Sequence, residues 1–103
     1  MSREKGDKLE DKIAHDLGIN KSTNSGAKWD NADLTNRNLI IECKYKDKPS
    51  LSGVGPEIKK LMEQSKKHSK DWIYIQQNQA GTFVVLDYNT FLAMYQSLSS
   101  PDA

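Results

Sequence analysis

Apolar residues in this chain recur with two different periods, and the alternation between those periods predicts its order of elements. From Arg3 to Leu17 they fall at Leu9, Ile13, Ala14 and Leu17, one arc of a 3.6-residue turn, so an amphipathic helix is expected there, ended by Gly18 in the left-handed conformation. Gly6 on the same arc suggests close approach by another backbone or a ligand. Residues 20–31 are small and polar and read as a loop. Two short strands then flank the turn Asn36-Arg37-Asn38, the second running from Leu39 to Lys46. After a loop from Asp47 to Pro56, a helix is expected from Glu57 to Ser69, with Ile58, Leu61, Met62 and Ser65 toward the core. Trp72 to Gln76 and Thr82 to Leu86 read as two scaffold strands joined by the turn-forming QNQAG. Asp87 or Asn89 then caps a last helix through Phe91, Leu92, Met94, Tyr95 and Leu98. The order is α-β-β-α-β-β-α, an α/β domain spanning residues 1–103 with residues 1–3 and 99–103 expected to fray.

The strand from Leu39 to Lys46 raises a chemical question. Its side chains alternate, so Leu39, Ile41, Cys43 and Tyr45 take one face while Ile40, Glu42, Lys44 and Lys46 take the other. Ionised groups in a buried strand are costly unless they pair or bind a metal. If the hairpin loop holds an even number of residues centred on Arg37 and Asn38, Asp33 lies directly across from Glu42. Two carboxylates and a lysine suit an oxygen-ligated Mg²⁺ centre for phosphodiester hydrolysis, with Lys44 orienting water or stabilising charge on the phosphate. Asp30 is the poorer alternative as first acid. On the helical wheel Glu10 falls inside the apolar arc; read from the wheel alone, a boundary carboxylate reaching water is favoured over an inward one.

Composition narrows the chemistry further. The single cysteine, Cys43, excludes an intramolecular disulfide, and two histidines are too few for a cysteine-rich zinc site. The charged N-terminus has no apolar segment behind it and no apolar run approaches membrane-spanning length, so a cytoplasmic protein with no membrane partner is expected, in the host cytoplasm if it is phage-encoded. Net charge is +1, yet residues 44–70 hold eight Lys/Arg against three Asp/Glu while residues 71–103 hold no Lys/Arg. That basic segment suits a polyanionic partner, although a lysine-rich solvated helix explains it equally well. Ser25 and Lys28 in the polar loop, with Lys46 and Lys48 after the strand, are the candidate DNA-phosphate contacts.

The set Glu10 in the first helix, Asp33 before a turn and Glu42-Cys43-Lys44 ending an apolar strand resembles the PD-(D/E)xK nuclease superfamily, and within it the small Holliday junction resolvases of archaea and phages. The resemblance covers roughly residues 6–86; Ala32 stands where the motif has proline, and the chain is shorter than most resolvases. It implies a restriction-endonuclease-like fold with a central mixed sheet flanked by helices, Mg²⁺ dependence with Mn²⁺ as substitute, a homodimer, and cutting of branched DNA. Carried over by position, it makes Asp33 and Glu42 metal ligands, adds the Cys43 backbone carbonyl and Glu10 near the metal, and makes Lys44 the catalytic lysine. Two alternatives stay open: a nicking, repair or restriction-like nuclease of the same fold acting on duplex DNA, and a non-catalytic DNA-binding protein using residues 44–70.

Overall fold

The structure is a computed structural model that describes residues 2–19, 34–35 and 38–99. Its elements are α1 (Ser2–Leu17), β1 (Leu34–Thr35), β2 (Leu39–Tyr45), α2 (Val54–His68), β3 (Asp71–Asn78), β4 (Gly81–Leu86) and α3 (Tyr88–Ser99). The expected α-β-β-α-β-β-α order is therefore the observed one.

The strands form one mixed sheet in the order β1-β2-β3-β4, three full strands plus the two-residue β1. β2 and β3 are parallel, with α2 as the crossover between them, and both outer pairs are antiparallel. Parallel strands covered on both faces need apolar residues at consecutive positions, and here β3 is buried without a break from Trp72 to Gln76. The β1–β2 register, Leu34↔Ile41 and Thr35↔Ile40, is the one expected for a loop centred on Arg37 and Asn38.

Each face of the sheet has its own core. Leu9, Ile13 and Ala14 of α1 pack with Ile41, Cys43, Ile73 and Ile75 on one side. Leu61 of α2 packs with Ile40, Trp72 and Tyr74 on the other. These clusters confirm the alternation read from β2. Lys5 fixes the N-terminal half of α1 over the carboxyl end of β2, where its ammonium lies 4.8 Å from the centre of the Tyr45 ring and donates to the Tyr45 hydroxyl at 3.2 Å.

Helix ends follow local chemistry. Gly18 ends α1 at φ 68°, as expected, with the Ile19 amide donating to the Ala14 carbonyl. Asp87 caps α3, its carboxylate accepting from the Asn89 amide at 2.9 Å. Several expectations are corrected. The loop after β2 is shorter than its Pro/Gly content suggested, because α2 begins at Val54 and takes Gly55 and Pro56 into its first turn, where proline lacks no needed donor. Among the described residues nothing stands close to Gly6 where a side chain would be, so the close approach expected there is not seen. Leu17 and Met62 are exposed at the rims of their helices instead of joining the core. β3 and β4 are longer than expected and leave a two-residue turn, Gln79-Ala80, held by the Asn78 side chain accepting from the amides of Ala80 and Gly81.

Candidate functional site

Because Glu42 and Lys44 share the face of Ile40, β2 aims both beneath α2. The lysine ammonium lies 3.7 Å from the Glu42 carboxylate, and the two side chains are 44% and 18% exposed, so the acid is sheltered while the base reaches solvent. They open into a cavity of about 110 Å³ whose other walls are Glu57, Lys60, Leu61 and Gln64 of α2. Counted from Glu57 the other three stand at i+3, i+4 and i+7, so a single face of α2 looks down on the pair. The cavity lies between α2 and the carboxyl half of β2.

A polar ladder supports this end of the site. On β3 the residues Tyr74, Gln76 and Asn78 point toward α2 and are buried, Gln76 completely. The Gln76 amide donates to the Tyr74 hydroxyl at 2.9 Å and to the Ser52 carbonyl at 2.9 Å, and its oxygen accepts from the Ser52 amide at 3.1 Å and from Asn78 at 3.3 Å. Gln76 thus fills its hydrogen-bonding capacity and ties the loop after β2 to the sheet. The Tyr74 hydroxyl donates in turn to Glu57. Burial, first of all, and then the bond to Glu57 raise the Tyr74 phenol above its ordinary range, with the Glu42 charge adding to the effect.

Lys46 is drawn into the same network. Its ammonium lies 3.3 Å from Glu57, and a Cβ on Gly53 would come within 2.9 Å of it. Gly53, at φ 63°, therefore serves both the turn into α2 and the space Lys46 needs.

Of the residues singled out from sequence, the structure brings Glu42 and Lys44 together at the cavity. Cys43, between them, turns its side chain to the opposite face, into the α1 cluster. Glu10 is half-buried on α1, the helix that covers that opposite face. Lys46 is joined to Glu57, and Lys48 is exposed in the loop after β2. Asp33, Ser25 and Lys28 lie outside the described residues. Among the described residues no three His, Cys, Asp or Glu side chains gather as a metal-holding group.

Glu57, Lys60, Gln64 and the Tyr74-Gln76-Asn78 ladder were missed by the sequence reading. The α2 residues share a helix face with Leu61, but only the crossover sets that face over β2. For the ladder the sequence offers only polar residues at positions 74, 76 and 78, a signal that becomes specific once Ser52 is known to lie beside Gln76. No family model matches this chain, and neither a curated protein nor a solved structure matches it.

Proposed function

We propose that this chain is a Mg²⁺-dependent, structure-selective DNA endonuclease with a restriction-endonuclease-like fold, of the kind that cuts Holliday junctions. The observation that carries the reading is the adjacent Glu42 and Lys44, set in the carboxyl half of a parallel strand and opening into a cavity that Lys60 also lines.

The donor chemistry of this pocket fits a hard divalent ion. Glu42 offers a sheltered carboxylate, Mg²⁺ ordinarily takes only one or two of these, and a cavity of about 110 Å³ has room for water or a phosphate oxygen beside it. Glu42 would hold the ion, together with Asp33 as the sequence pattern expects. A bound Mg²⁺ supplies charge neutralisation at the phosphate and a more acidic water. Lys44, the more exposed of the pair, reaches toward the phosphate and stabilises the negative charge that develops there. Lys60 and Gln64 offer a further cation and an amide for the phosphate oxygens on either side. The Glu57–Tyr74–Gln76 network holds the floor of the pocket rigid while DNA lies above it.

A second reading, DNA binding without cleavage, is favoured by the pairing of Lys44 with Glu42 and of Lys46 with Glu57, since a structural role would satisfy the same charges. A cleavage assay on matched four-way junction, flap and linear duplex separates the two. Scission in Mg²⁺ or Mn²⁺ that chelation abolishes, with the junction preferred, supports the nuclease; binding of all three with no scission supports the second reading. Cutting of linear duplex alone removes the junction-selective part.

A further inference from the structure

The helix that ends the fold is built unlike the others. α3 contains no charged residue, and no residue from Tyr88 to Leu98 is buried. Its exposed side chains are large: Tyr88 is 70% exposed, Phe91 49%, Tyr95 56% and Leu98 84%, with Met94 alongside. Isolated helices of this length are marginal in water, and a helix apolar over most of its surface is ordinarily covered.

The spacing of these residues says what kind of surface covers them. Positions 88, 91, 95 and 98 alternate steps of three and four, which is the a/d seam along which one helix packs on another. Three of the four are aromatic and already in register along the helix, with ring centres 6.5 Å apart from Tyr88 to Phe91 and 6.0 Å apart from Phe91 to Tyr95. A seam with no charge on it meets its own copy without like-charge repulsion, and it offers nothing for DNA to pair with. Covering the five exposed side chains removes on the order of 600 Å² per copy, at about 200 Å² for a full side chain, which for two copies reaches the lower limit of specific interfaces.

We propose that α3 is a self-association element, in which the Tyr88, Phe91, Tyr95 and Leu98 seam of one copy packs against the same seam of a second copy of this chain about a two-fold axis. The nuclease resemblance implies a homodimer without placing its interface; the placement on α3 is argued from α3 alone, so a monomer would sink it while DNA scission separately tests the nuclease reading.

Sedimentation velocity on the full chain, over roughly 1–200 µM protomer to bracket weak interfaces, tests it. The mass should rise from 11.7 kDa toward twice that value as concentration increases. Tyr95→Glu and Leu98→Glu, each setting a charge against its own copy, should raise the dissociation constant at least about tenfold, an effect of about 1.4 kcal/mol. Lys59→Glu, on α2, should leave it unchanged. Amide exchange on the wild type needs no variant: α3 should gain protection as concentration rises while β3 does not change. A mass of 11.7 kDa throughout, with α3 exchanging freely at every concentration, overturns the proposal and leaves the seam to a different protein. A dimer that both substitutions leave intact overturns it as well.

Discussion

The two faces of the sheet are made from the same strands and differ in what they bury. Beneath α1, every inward residue from Ile41 to Ile75 is apolar, and the cluster closes on Leu9, Ile13 and Ala14. Beneath α2, the face is apolar only at one end, around Ile40, Trp72 and Leu61, and then changes along the strand direction to Glu42 and Lys44 on β2 and to Tyr74, Gln76 and Asn78 on β3. One face thus supplies free energy of folding, and the other places charge and hydrogen-bonding groups at a defined position at the cost of a weaker core. A strand can serve both because its side chains alternate, so a substitution at residue 41 and one at residue 42 test different properties of one molecule.

The largest expected effect is on the α2 face. On the proposed nuclease reading, Glu42→Ala should slow DNA scission by roughly 10³-fold while leaving thermal unfolding close to wild type, since the loss of one sheltered carboxylate removes the proposed metal ligand and no core volume. Ile41→Ala should do the reverse. That side chain is fully buried, so about 2–5 kcal/mol of stability should be lost in a chemical denaturation curve, with cleavage per folded molecule unchanged. Finding both effects in a single variant would break the division between the faces.

Smaller effects sharpen how the polar half is held. Gln76→Ala leaves the Ser52 amide and carbonyl and the Asn78 side chain without their partner, and should cost about 1–3 kcal/mol. Faster amide exchange in the loop after β2 should accompany it. Tyr74 gives a pH signature. Its folded-state pKa is raised, so its contribution to stability is complete below the ordinary tyrosine pKa of about 10 and declines as pH rises above it. Denaturation midpoints of the wild type should fall above about pH 10, with a slope of at most about 1.4 kcal/mol per pH unit from this group, and Tyr74→Phe should flatten that fall. Least of all, Asp87→Ala should cost about 0.5–2 kcal/mol, read as faster exchange confined to α3, because it removes only the cap.

How much of this was legible in the sequence differs by face in the same way. The α1 face was readable because both of its elements obey a simple period: Leu9, Ile13 and Ala14 on a helix, and Ile41 and Cys43 on a strand. The α2 face was readable only in β2, where Glu42 and Lys44 break an apolar run. Its other wall was not, since Lys60 and Gln64 look like any polar residues on a solvated helix until the crossover places them over β2. Gln76 and Asn78 were taken for the end of a strand and the start of a turn, because buried amides are recognisable only when their partners are known, and Ser52 lies 24 residues away. α3 was read only as a last apolar helix; a pattern that predicts burial cannot say whether the covering surface belongs to the same chain.

The most direct test of the central claim is single-turnover scission of a labelled four-way junction in Mg²⁺, comparing wild type with Lys44→Ala at matched DNA occupancy. The proposed nuclease activity predicts metal-dependent cutting by the wild type and cutting at least about 10²-fold slower by the variant, with DNA affinity little changed. Equal rates for the two proteins, or no scission of any DNA by the wild type in either Mg²⁺ or Mn²⁺, would contradict it.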